Sequence, residues 1–173
     1  MLARIRHDSE GASAVEFALV LPVLIILLFG IMYGASLFNS QQTITQAARE
    51  GARFAATLPL SEFDDDDVDV APPEPAWFDS VAGRAKSVMD SDRPLTHGGT
   101  APSACVVFYY EGDSWPGGDT AACPADLSGV SGDDMARVQV ITSRPARLEL
   151  GIFSIGPINL QSSAIARFEG PLD

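Results

Sequence analysis

The sequence predicts an α+β fold carried on a membrane helix. A transmembrane helix extends into a long amphipathic helix, and a small extracytoplasmic domain with a short antiparallel sheet follows. Three observations lead there. Phe17 to Phe38 is a 22-residue stretch in which only Pro22, Gly30, Gly34 and Ser36 are not hydrophobic. A helical period of apolar and small residues then continues to Leu58. Beyond it, three short segments are dense or alternating in β-formers, the pattern of strands rather than helices.

The apolar stretch comes first. It has no charged side chain and covers about 33 Å as a helix, enough for a bilayer core of about 30 Å. A buried core helix of that length would carry polar residues along one face. Arg4 and Arg6 precede the span and Arg49 and Arg53 follow it, so positive charge alone does not orient it. The long acidic C-terminal part does: large domains translocate largely regardless of charge. The expectation is a single-pass protein of the cell (inner) membrane, N-terminus cytoplasmic and C-terminal domain extracytoplasmic. A secreted product cut at Gly34-Ala35-Ser36 is the other reading of an N-terminal apolar segment.

Glu16 stands at the mouth of this helix, where a carboxylate costs about 1–3 kcal/mol and calls for a partner. Its setting is Gly11-Ala12-Ser13-Ala14-Val15-Glu16-Phe17, after a short polar leader. That string resembles the cleavage site of type IV prepilins, which a membrane prepilin peptidase cuts after the glycine. The resemblance implies Gly11 as the scissile glycine, Ala12 as the new N-terminus, and Glu16, followed by Phe17, as the subunit-registry carboxylate that meets a neighbour's Ala12 amine. With Ala18-Leu19-Val20-Leu21-Pro22 and, further on, Gln46-Ala47-Ala48-Arg49-Glu50-Gly51-Ala52-Arg53, the segment from 11 to about 56 looks like the TadE-like family, pseudopilins of the tight-adherence (Tad/Flp) pilus system. The partners so implied are the membrane, a prepilin peptidase, other pilins and pseudopilins, and the Tad secretion machinery.

Outside the span, Ile44, Ala47, Ala48, Gly51, Phe54, Ala55 and Leu58 recur at spacings of three and four. This stripe cannot be buried in lipid, so it should pack on the ectodomain or on neighbouring subunits. Small residues at Gly30 and Gly34, and at Ala47, Gly51 and Ala55, lie one turn apart and would allow close helix–helix approach. Pro59 stops the helix. An acidic, proline-containing linker follows, with Asp64 to Asp67 and Asp69. Read as a calcium loop from Asp65, it has Val70 where glycine is needed and Ala76 where the closing glutamate belongs, so it reads as a solvated linker. Trp77, Phe78, Val81, Ala85, Val88 and Met89 mark a second amphipathic helix. Strands are expected at Ala104–Tyr110, Ala136–Thr142 and Ile158–Phe168, with a long loop from Glu111 to Asp134. The expected division is a leader at 1–11, the helix at 12–58, the linker at 59–75 and an α+β domain at 76–173.

Composition narrows the function. The chain has 173 residues and a net charge of −12, with a sequence pI near 4.4. Nucleic-acid binding needs a basic surface to neutralise phosphates, so it is not expected. Cys105 and Cys123, an even pair in an exported domain, read as a disulfide. With His97 they are too few for a zinc site, and no cofactor or metal is expected. Gly112-Asp113-Ser114-Trp115-Pro116 superficially resembles an esterase nucleophile turn. Pro116 takes the second glycine's place, and no histidine follows His97 to act as base. No catalytic residue, enzymatic activity or small-molecule substrate is expected. Two functions stand: a TadE-like pseudopilin acting in pilus assembly after cleavage between Gly11 and Ala12, or a permanently anchored surface protein whose ectodomain binds a ligand through an exposed Trp115 and the acidic linker.

Overall fold

A computed structural model of the chain describes residues 9–60, 73–91, 101–110, 112–124, 135–150 and 153–169. Helix α1 runs unbroken from Ser9 to Thr57, 49 residues and about 73 Å at 1.5 Å per residue. It starts three residues before the expected Ala12, and Pro22 lies inside it. The Leu58 N–H closes the last turn on the Phe54 carbonyl at 3.1 Å, just before Pro59. Helix α2, Pro75–Ser91, opens with proline at its first position, where the missing N–H is unpaired in any helix.

Among the described residues four strands form one antiparallel sheet in the order β2-β1-β3-β4. They are β1 (Ser103–Tyr110), β2 (Asp113–Gly118), β3 (Arg137–Leu150) and β4 (Phe153–Arg167). The expected loop from Glu111 onward therefore contains a strand. β2 pairs with β1 from Tyr110↔Asp113 to Cys105↔Gly118, and its lone proline, Pro116, is tolerated because β2 is an edge. Strands β3 and β4 also outrun the expected segments. They stay paired to Leu150↔Phe153, past Pro145, with a register shift between Ala146 and Leu148.

The core lies between the sheet and the two helices. Alternation in β1 puts Ala104, Val106 and Phe108 toward the helices, beside Val138 and Val140 of β3, all fully buried. Helix α2 contributes Trp77, Val81, Ala85 and Met89; α1 contributes Ile44, Ala47 and Ala55. Phe108 is the hub, with Trp77, Trp115 and Phe168 at centroid distances of 6.0, 6.0 and 5.6 Å. Trp115, expected to be exposed, is half-buried against this cluster, because its place in β2 faces Phe108 across the ladder. On the other face of the sheet, Cys105, Val107, Tyr109 and Ile141 form a smaller buried cluster. The Cys105–Cys123 disulfide pins the short 3₁₀ turn Thr120–Ala122 over it.

Candidate functional site

The candidate site is α1 itself, which divides into two unlike halves. From Val15 to Met32 every large apolar side chain is exposed, Leu19 the most at 75%. That distribution suits lipid around the whole circumference, and the helix is long and apolar enough to cross a membrane. Gly11, Gly30 and Gly34 have no atom within 4 Å of where a Cβ would sit. Gly11 falls in the first turn of α1, so a peptidase that needs an extended strand would first have to unwind that turn. Glu16 lies just over one turn beyond it and has no ion-pair partner among the described residues.

Past Phe38 one side of the helix closes against the head. Ile44, Ala47, Ala48, Ala52 and Ala55 are buried. At Gly51 a Cβ would meet Ala85 Cβ and Val140 Cγ1, each at 3.1 Å. The small residues of this half therefore admit α2 and β3 of the same chain. The Ala47, Gly51, Ala55 series, read from sequence as a helix–helix stripe, meets a strand as well as a helix.

Polar clamps fasten α1 to the sheet. The Thr142 hydroxyl donates to the Ile44 carbonyl at 3.0 Å, the Gln41 amide donates to the Gln161 carbonyl at 3.2 Å, and the Glu169 N–H donates to the Ala56 carbonyl at 3.3 Å. Arg144 is buried at the C-terminal end of α2 and donates to the Met89 carbonyl at 3.1 Å, where a cation suits the helix dipole. Sequence reading missed these residues. The only signal was a polar side chain at a core-facing position of the β3 alternation, at Thr142 and Arg144.

Among the described residues three ion pairs trim the head, the longest being Arg144–Asp90 at 3.9 Å. Arg84 of α2 bonds Glu50 of α1 at 2.8 Å, and that bond holds the Glu50 carboxyl below its usual pKa. Lys86 bonds Asp119 at 2.7 Å, and the Ala104 N–H donates to the same carboxylate at 3.0 Å. Burial alone would raise Asp119, but these two donors outweigh it and hold the carboxyl below its ordinary value. Burial pushes the Tyr109 hydroxyl up. A shallow cavity of about 440 Å³ opens between the helices, lined by Gln46, Arg49, Glu50, Arg53, Arg84 and Val88. Its guanidinium groups lie on an open surface that does not enclose a small ligand. Among the described residues no cluster of three or more His, Cys, Asp or Glu could hold a metal. His97 and the acidic run Asp64–Asp69 lie outside the described residues.

This geometry defines a class: a single-helix anchor continued without interruption into the core of a small α+β head. Residues 11–53 match the family model described as TadE-like protein. The match starts at the expected scissile glycine and ends at Arg53, two residues beyond Gly51, so it covers both halves of α1 and leaves the sheet outside. No curated protein and no solved structure matches the chain. The matched segment and the long apolar helix together fit a single-pass protein related to the Tad pilus.

Proposed function

We propose that the chain is a pseudopilin of the Tad/Flp pilus system, anchored in the inner membrane with its head outside, and that it acts in pilus assembly rather than as an enzyme. One observation carries this reading: the TadE-like match coincides with a helix whose inner half exposes apolar side chains on all sides and whose outer half is built into a folded head. Prepilin peptidase removes the leader between Gly11 and Ala12. Glu16 then pairs with the Ala12 amine of a neighbouring subunit, which supplies a counter-charge that the described residues of its own chain do not. Gly30 and Gly34, with open space at both, let a second helix approach closely within the membrane.

The ligand-binding alternative has less support, since Trp115 is packed on Phe108 rather than displayed. The test is the N-terminus of the membrane-fraction protein, read by mass spectrometry with a prepilin peptidase co-expressed. A chain beginning at Ala12 is expected, and Gly11→Leu should abolish the cut. A chain still beginning at Met1, beside a control substrate that is processed, would leave a fixed anchor instead. A start near Ser36 would mean a secreted head.

A further inference from the structure

We infer that Arg49 and Arg53 of α1, with Arg84 of α2, form a docking surface for an acidic segment of another protein chain anchored beside this one. The inference goes beyond the pilus reading: it needs α1 as a membrane span but no cleavage at Gly11. Its basis is a motif that anchoring and processing leave unexplained. Gln46-Ala47-Ala48-Arg49-Glu50-Gly51-Ala52-Arg53 closes the family match, and the fold splits it in two. Ala47, Ala48, Gly51 and Ala52 are buried against the head. Gln46, Arg49, Glu50 and Arg53 line the shallow cavity between α1 and α2.

Charge in this cavity runs against the rest of the molecule. The chain carries −12 overall, yet three guanidinium groups line the cavity beside one carboxylate. Glu50 is taken by Arg84 at 2.8 Å. Arg49 and Arg53 are exposed and make no ion pair among the described residues. They stand four residues apart on α1, so about 6 Å separates their Cβ atoms. Carboxylates two residues apart on a strand, or four apart on a helix, repeat at about the same 6 Å. A neighbouring acidic segment can therefore give one carboxylate to each guanidinium, in the two-pronged geometry that arginine favours.

Height above the membrane decides between partners. Arg49 and Arg53 lie beyond Phe38 by about 16 and 22 Å of helix. The headgroup layer is only about 5–7 Å deep on each side, so lipid phosphates fall short of both. A helix lean of about 20° lowers these heights by under about 2 Å. The cavity is open, so a small anion would be held from one side only. A chain anchored in the same bilayer meets neither limit, since it stands at this height and can lay several charges along the groove. Exposed ion pairs are individually weak, but a co-anchored partner is held at high local concentration.

The test titrates fluorescein-labelled hexaglutamate against the full-length protein in phosphatidylcholine nanodiscs at low salt, and follows anisotropy. Binding is expected, and about 0.5 M NaCl should abolish it. Arg49→Gln and Arg53→Gln should each weaken it about three- to fivefold. Arg167→Gln, the same loss of charge on an exposed residue of β4, should change it by less than about twofold. Both cavity arginines are exposed, so neither substitution should move the denaturation midpoint of the head. No binding by the parent, or an equal loss with Arg167→Gln, would overturn the inference. Headgroup-nitroxide lipid that quenches a fluorophore at Arg53→Cys as strongly as one at Phe38→Cys would put the arginines at the lipid surface, and would equally overturn it. Binding that appears only after Asp64, Asp65, Asp66 and Asp67 are changed to Asn would assign the groove to the chain's own acidic run, against a second chain. All of these outcomes leave the pilus reading standing, whose own test is the N-terminus. A protein that fails to enter the discs would remove the span itself, and this inference with it.

Discussion

The two halves of α1 use the same residue types for opposite ends. In the inner half, Gly30 and Gly34 face open space, and the surrounding leucines, isoleucines and valines are exposed on every side. In the outer half, Gly51 is pressed by Ala85 and Val140, and Ala47, Ala52 and Ala55 are buried. A small residue on a helix therefore marks a close approach without saying by what. In the outer half the partner is the chain's own head, which leaves the inner half as the surface free for lipid or for other subunits.

The sharpest way to break this contrast is to enlarge the glycines. Gly51→Leu should destabilise the head by about 3 kcal/mol, since even its Cβ would sit at the contact limit of two neighbours. The midpoint of chemical denaturation, followed by head-specific fluorescence of Trp77 and Trp115, measures it. Next, Gly117→Ala should cost about 2 kcal/mol by the same readout, because a Cβ there would lie 2.2 Å from Phe78 Cγ, and the β2 edge or the Phe78 ring would have to shift.

A smaller effect concerns the Lys86–Asp119 pair that ties α2 to the start of β1. Asp119→Asn should cost about 1 kcal/mol at neutral pH, a figure already reduced for its half-exposed, solvent-screened position. Because the folded carboxyl lies below its ordinary value, its stabilisation is complete above the unfolded pKa of about 4 and is lost as pH falls through the folded one. Parent and variant should therefore converge in denaturation experiments carried from pH 7 down to pH 3. Least of all, Gly34→Leu should move head stability by under about 0.5 kcal/mol. Its effect should appear instead as weaker self-association in detergent or vesicles, read by crosslinking. A head destabilised as much as by Gly51→Leu would erase the distinction between the halves.

Most of the architecture was legible because its signals are periodic. The apolar run, the three-and-four spacing of α1 and α2, and the β-branched density of β1 each reflect burial on a face, and burial is written in residue type. Strand β2 escaped because Asp113-Ser-Trp-Pro-Gly-Gly has no β-branched residue; it is a strand only because β1 offers it a partner and Phe78 needs a side-chain-free Gly117 beneath its ring. The long ends of β3 and β4 escaped because Pro145, Gly156 and Pro157 read as stops, whereas a two-stranded ribbon tolerates a proline on its open side. At the site, the Gly11–Glu16 string was legible as local chemistry. Which partner the outer stripe meets was not, since spacing carries no address.

The absence of any break in α1 between span and head has a mechanical consequence. With no hinge, the head follows whatever angle the helix takes to the bilayer normal. Transmembrane helices lean by about 20° on average, and the roughly 28 Å of helix above Phe38 would turn that lean into about 10 Å of sideways travel at the top of the head. The helix is thus a lever with one arm in the lipid and the other in the head, so a change of bilayer thickness, or a neighbour docking at Gly34, would be felt as a displacement of the β2 edge.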